Sequence, residues 1–107
     1  MDLVLDLDGV LCEETGRHDD YVDRKPLSDQ IAALKRIRHH FRHVILFTAR
    51  YPEDFWITVG WLEKHGLVDL ITCVQMGKPQ AFAYVDDKSK ISVCDLEEVL
   101  NAKNNQS

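Results

Sequence analysis

Apolar runs of strand type alternate with stretches of helical spacing along this chain. Met1 to Leu7 is apolar apart from its acids, as strands buried on both faces are, and predicts a first strand. Val44-Ile45-Leu46-Phe47 predicts a second, Leu70 to Val74 a short third and Ala81 to Val85 a fourth. Ile91-Ser92-Val93 is a candidate for a fifth. Between the first two runs, Ile31, Leu34, Ile37 and Phe41 recur at helical spacing. They predict an amphipathic helix from Ser28, read as its N-cap, to about His40. Its last turn carries Arg36, Arg38, His39 and His40, which suits the negative end of a helix dipole. Pro52 with Glu53 and Asp54 opens a second helix, with Phe55, Val59 and Leu62 inward and Gly66 closing it. Asp95 with Glu98 reads as a capping box for a last helix, with Leu96, Val99 and Leu100 inward. Asn101 to Ser107 reads as a frayed tail.

Strands that alternate with helices predict an α/β fold with a Rossmann-like parallel sheet covered by helices on both faces. The 107 residues suit a single domain spanning 1–107, with no repeat and no linker. One stretch departs from the alternation. Cys12 to Pro26 is polar and charged, and is expected to form a long loop or small flap beside the first strand's acids.

Charge and cysteine usage narrow the function classes. Thirteen basic residues against eighteen acidic give a net charge of −5, and no basic stripe dominates, which argues against a nucleic-acid binder. No apolar run is long enough to span a bilayer, and Met1-Asp2 carries no basic leader, so neither a membrane partner nor a signal peptide is expected. Cys12, Cys73 and Cys94 are odd in number and widely spaced, and read as reduced thiols of a cytoplasmic protein.

The chemistry gathers at the ends of the strands. Asp6 and Asp8 follow an apolar run one residue apart, and Gly9 lets the backbone turn sharply after them. The strand is therefore expected to stop there and present both acids at its carboxyl end, where open α/β sheets build their ligand sites. Two acids on an apolar strand are costly without a positive partner. A hard cation with oxygen ligands, Mg²⁺, is the natural candidate. The second strand ends in Thr48 and the fourth in Asp86-Asp87, with Lys78 in the loop before the latter. A parallel sheet would place four carboxylates, a hydroxyl and an ammonium on one edge. Phosphoryl transfer needs that set: carboxylates for the metal, a cation for phosphate charge, a hydroxyl for a phosphoryl oxygen and a carboxylate nucleophile.

With these residues in hand, the sequence resembles the haloacid dehalogenase superfamily of phosphohydrolases. Asp6-Leu7-Asp8-Gly9-Val10 is similar to that family's first motif, Thr48 to the second, Lys78 in Gly77-Lys78-Pro79 to the third and Asp86-Asp87 to the fourth. The resemblance implies that Asp6 attacks phosphorus and that Asp8 acts as general acid and base. It also implies Mg²⁺ held by Asp6, by the backbone carbonyl of Asp8 and by the fourth pair. Asp87 would be the direct ligand with Asp86 beside it, or the reverse. Val10 stands where threonine is commoner. The short stretches after the first motif and between the second and third leave no room for a cap domain. A capless member has an exposed site suited to large or protruding phosphorylated substrates, or closed by a partner subunit. The runs Thr48-Ala49-Arg50, Trp61 to Gly66 and Tyr84 to Lys88 also look similar to small bacterial and phage phosphatases, several of them associated with sugar or polysaccharide phosphates.

Other readings stand beside this one. A phosphate-binding or regulatory module could keep the same site with negligible turnover. A receiver domain uses similar residues, but there the acidic pair comes first and the phosphorylated aspartate later. Arg50 divides evenly between substrate contact and surface charge. His39, His40 and His43 read as a basic helix end, because their spacing matches no zinc pattern. Trp56 and Trp61 do not share a helical face. Cys12 to Arg17 resembles the loop of cysteine phosphatases, one residue short of that spacing.

Overall fold

A computed structural model describes residues 1–78 and 92–104. The predicted fourth strand, Ala81 to Val85, the Asp86-Asp87 pair and Ile91 lie outside them. The described elements run β1 (Asp2–Leu5), α1 (Ser28–Ile37), β2 (His43–Phe47), α2 (Phe55–Lys64), β3 (Cys73–Gln75) and α3 (Val93–Asn104). The three strands form one parallel sheet in the order β1-β2-β3. Leu3 pairs with Val44 and Leu5 with Leu46, and Leu46 pairs onward with Val74. The chain is thus a small α/β fold built on parallel strands with helical crossovers.

The register decides where the core lies. Leu3, Leu5, Val44, Leu46 and Val74 point to one face, because side chains alternate along each strand. Ile31, Leu34 and Ile37 of α1 and Trp61 and Leu62 of α2 join Leu5, Val44 and Leu46 in a single cluster. Two successive crossovers that step the same way fall on the same side of a sheet when both are right-handed, which accounts for the shared cluster. The opposite face carries Val4, 57% exposed, and the exposed Cys73 and Gln75. Among the described residues one face is covered, where helices on both had been expected.

Several predicted boundaries move, each for a local reason. β1 stops at Leu5 instead of Leu7. The carbonyl of Leu7 turns inward to accept the amides of Val10, Leu11 and Cys12 at 3.1, 2.9 and 3.3 Å. Gly9 sits in this turn at φ +83°, and a Cβ there would meet only the Glu14 side chain at 3.9 Å. Its requirement is therefore conformational. Ser28 is the first helical residue of α1 and makes no capping bond; Leu27 holds the cap position. The helix gives way after Ile37 to a 3₁₀ turn, Arg38–His40. There Arg38 donates to the carbonyls of Phe41 and Leu70, both at 2.8 Å, and ties the end of α1 to the loop before β3.

α2 is preceded by a 3₁₀ turn over Pro52–Asp54, and its buried residues are Thr58, Trp61 and Leu62. Phe55 and Val59, expected inward, are only half-buried. Trp61 carries more apolar surface than either and takes the central place. The C-terminal end matches expectation. Gly66 at φ +70° gives its amide to Glu63 O at 3.1 Å, and the buried Leu67 gives its amide to Leu62 O at 2.8 Å, a Schellman closure. The third strand is shorter than Leu70 to Val74, because Val68–Leu70 forms a 3₁₀ turn. α3 begins at Val93, so Ser92-Val93 is no strand. Ser92 Oγ accepts the Asp95 amide at 3.1 Å, which makes Ser92 the cap in place of Asp95. Val99, expected inward, is 57% exposed, and residues 101–104 extend the helix where a frayed tail was expected. Gln30 Oε1 also accepts the Cys94 amide at 3.1 Å, docking α3 on α1. No described helix is long and apolar enough to cross a membrane.

Candidate functional site

Asp6 and Asp8 follow β1, and Thr48 follows β2, at the carboxyl edge of two adjacent parallel strands. Asp6 is half-buried, and its Oδ1 accepts the Leu7 amide at 2.8 Å. Thr48 is fully buried, and its Oγ1 accepts the Arg50 amide at 3.2 Å. A hydroxyl that accepts one bond still has its own O–H to donate. Lys78 is drawn to the same edge by its backbone, which donates to Thr48 O at 2.9 Å, one residue after Gly77 donates to Arg50 O at 2.8 Å. Its Nζ lies 5.6 Å from the centre of the Phe47 ring. Asp6, Asp8, Thr48 and Lys78 therefore share one edge of the sheet. Asp86 and Asp87, expected to complete the set, lie outside the described residues.

The Asp8 side chain is heavily bonded. Its Oδ1 accepts from Arg24 Nη1 at 2.8 Å and from Arg50 Nη2 at 2.7 Å, and its Oδ2 accepts from Arg50 Nε at 3.1 Å. The Cys12 thiol also donates to Oδ1 at 3.3 Å. Both arginines are 3% exposed. A buried guanidinium needs partners, and every nitrogen of both side chains has one. Arg50 Nη1 reaches Thr58 Oγ1 at 3.1 Å, and its plane lies over the Tyr21 ring with Cζ 3.8 Å from the ring centre. Arg24 donates to Asp20 Oδ1, Glu13 O and Arg17 O at 3.0, 3.1 and 2.6 Å. Burial works against the Arg24 charge, but the bond to Asp20 and the charges of Asp8, Asp20 and Glu14 outweigh it and raise its pKa. Arg50 is thus neither a surface charge nor a group held out to solvent.

The 12–26 segment is built into this cluster. It has no regular structure beyond a 3₁₀ turn, Tyr21–Asp23. Its two ends are zipped together, Glu13 N to Lys25 O and Leu27 N to Leu11 O, each at 2.9 Å. Beneath it, Trp61 Nε1 donates to the carbonyl of Arg24 at 2.8 Å. Trp61 is buried, whereas Trp56 is 78% exposed and stands edge-on to Phe55. The expected flap is tied back onto Asp8 and α2.

Arg24, Thr58 and Tyr21 escaped the sequence reading. Thr58 had a signal, since a polar residue at helical spacing with Trp61 and Leu62 on a buried face needs a partner. Arg24 had none, because nothing local separates it from the exposed Arg17 and Lys25 of the same charged segment.

The donor set partly fits Mg²⁺. Asp6 offers a carboxylate, and the carbonyl of Asp8 takes none of the turn's amides, which go to Leu7 O and Cys12 O. Both are hard oxygen donors of the kind magnesium takes. The Asp8 carboxylate does not fit as a ligand, being occupied by the two guanidiniums. Among the described residues no group of three His, Cys, Asp or Glu side chains could hold a metal ion.

The cysteine reading has a poor basis here. Cys12 is fully buried, and burial, together with the charge of Asp8 and the bond to it, pushes its thiol up to about 12. At neutral pH its thiolate fraction would be about 10⁻⁵, and the thiolate is the nucleophile. Arg17 lies on the surface, paired with Asp19 at 2.7 Å. Mild alkylation at pH 7 is expected to label the exposed Cys73 and leave Cys12 intact until the protein is unfolded, as read by peptide mass mapping.

No protein-family profile matches the chain, and no curated protein does. A crystal structure of a target protein from Vibrio cholerae is similar in fold, with a TM-score of 0.69 and 24% identity over 99% of this chain and 98% of that one. At that identity the likeness shows the fold alone. It extends over nearly the whole of both chains.

Proposed function

We propose that this chain is a Mg²⁺-dependent phosphomonoester hydrolase of the haloacid dehalogenase type, without a cap domain, working through an aspartyl-phosphate on Asp6. The observation that carries the reading is the shared edge: Asp6 beyond β1, Thr48 beyond β2, and Lys78 bound through its backbone to Thr48. The carboxylate of Asp6 attacks phosphorus as the ester oxygen departs. Asp8 protonates that oxygen, then takes a proton from the water that attacks the phosphorylated Asp6 and releases phosphate. Thr48 turns its O–H to a phosphoryl oxygen, and Lys78 offsets phosphate charge. Mg²⁺, held by Asp6, the Asp8 carbonyl and the Asp86-Asp87 pair, would supply charge neutralisation and orientation. The short 12–26 segment, tied back onto Asp8 and α2, supports an open crevice that admits protruding phosphates, sugar phosphates among them.

Hydrolysis of an aryl phosphate tests the reading. Phosphate release is expected with Mg²⁺ and is expected to fall to background with EDTA, returning when Mg²⁺ is restored. Activity indifferent to EDTA refutes the metal. Absence of turnover, with Mg²⁺-dependent binding of a phosphate mimic, assigns a binding module instead.

A further inference from the structure

We infer that Arg24 and Arg50 are a positioning pair for Asp8, so that the 12–26 segment contributes to proton transfer without touching substrate. The inference rests on the phosphohydrolase reading and extends it to two residues that reading does not use. Arg50 grips both oxygens of Asp8 in a fork, Nε to Oδ2 at 3.1 Å and Nη2 to Oδ1 at 2.7 Å. Arg24 adds Nη1 on Oδ1 at 2.8 Å from the opposite segment of chain. Among the described residues, with Cys12 Sγ included, Oδ1 has three donors and Oδ2 one.

Two consequences follow from that imbalance. The carboxyl cannot rotate without breaking a fork, so its plane is fixed. Among the described residues Oδ2 alone retains acceptor capacity, since a carboxylate oxygen has two lone pairs. Oδ2 is therefore the oxygen with room for a further partner.

The pair is also held from behind. Arg50 is fixed by Thr58 Oγ1 and the Tyr21 ring. Arg24 is fixed by Asp20, by Arg17 O and Glu13 O, and through its own carbonyl by Trp61. Asp20 and Glu14 balance the second positive charge. A lysine at position 24 would carry the charge but has three donors at one point, against a planar fork of five. It could not hold Asp8, Asp20 and Arg17 O together.

A purely structural ion pair and a positioning pair predict different kinetics. The full chain with Mg²⁺ is assayed on 4-nitrophenyl phosphate and phenyl phosphate, which share a ring but differ in how far the departing oxygen needs a proton. In Arg24→Lys and in Arg50→Lys, kcat/KM for phenyl phosphate is expected to fall about 10²-fold, in the range general acid catalysis supplies, and for 4-nitrophenyl phosphate less than about tenfold. Mg²⁺ affinity by calorimetry is expected to be unchanged. Equal losses on both esters, or none, overturn the positioning role and leave the phosphohydrolase reading standing. A folded wild type inactive on both overturns the two together. Should either lysine variant melt below the assay temperature, Arg24→Gln tests the same pair, since it loses the charged fork but keeps an amide NH2 to donate.

Discussion

Asp6→Asn is expected to lower turnover of an aryl phosphate by at least about 10⁴-fold, on the scale seen when a covalent nucleophile is removed. The amide is a poor nucleophile, whereas the volume is unchanged. The Asn side-chain oxygen can still accept the Leu7 amide that Asp6 Oδ1 accepts at 2.8 Å. The fold should therefore survive, and the melting temperature of the variant should stay close to that of the wild type. Steady-state release of phosphate, measured with that melt, separates the outcomes. A stable, inactive variant supports the nucleophile, and a stable variant with wild-type turnover removes it.

Trp61→Ala is expected to cost about 3–5 kcal/mol, the range for deleting a buried aromatic side chain. Trp61 is 2% exposed and lies in the same cluster as Leu5, Val44 and Leu46. Its loss also leaves the Arg24 carbonyl without the Nε1 donor. For a domain whose whole stability is of the order of 5–15 kcal/mol, this is a large fraction, and Tm should fall by roughly 10 °C or more. Trp56→Ala, at a position 78% exposed, should stay within about 0.5 kcal/mol. Denaturant unfolding of the two variants reads the contrast directly. Similar losses at both positions would contradict the assignment of Trp61 to the core.

The elements with a strong period were legible in the sequence. The α1 stripe of Ile31, Leu34 and Ile37, the β2 run and the glycine closing α2 all fall where pattern and chemistry place them. The ends of elements were less legible, because competing partners decide them. Ser28 looks like a cap, yet Leu27 holds that position. Asp95 looks like one, yet Ser92 reaches its amide first. β1 looks as if it continues to Leu7, but three amides of the following turn take the Leu7 carbonyl. The acids and Thr48 could be found from sequence because each ends an apolar run. What surrounds Asp8 could not. Its partners come from positions 12, 24 and 50, and nothing local at Arg24 distinguishes a buried fork from a solvated charge.

The zipped ends of the 12–26 segment bear on how the protein opens. A surface loop ordinarily fluctuates on its own, at little free-energy cost. Here the amides of Glu13 and Leu27 bond across the neck of the loop, and just inside that neck the Arg24 carbonyl is held by the Trp61 indole. Detaching it would break those bonds, the Arg24 and Cys12 bonds to Asp8 and the Trp61 bond to the Arg24 carbonyl, so its opening costs more than that of an ordinary loop. Even with the segment detached, the Arg50 fork would still hold both oxygens of Asp8. The acid is thus held from two separate parts of the chain, and loosening the loop alone does not release it.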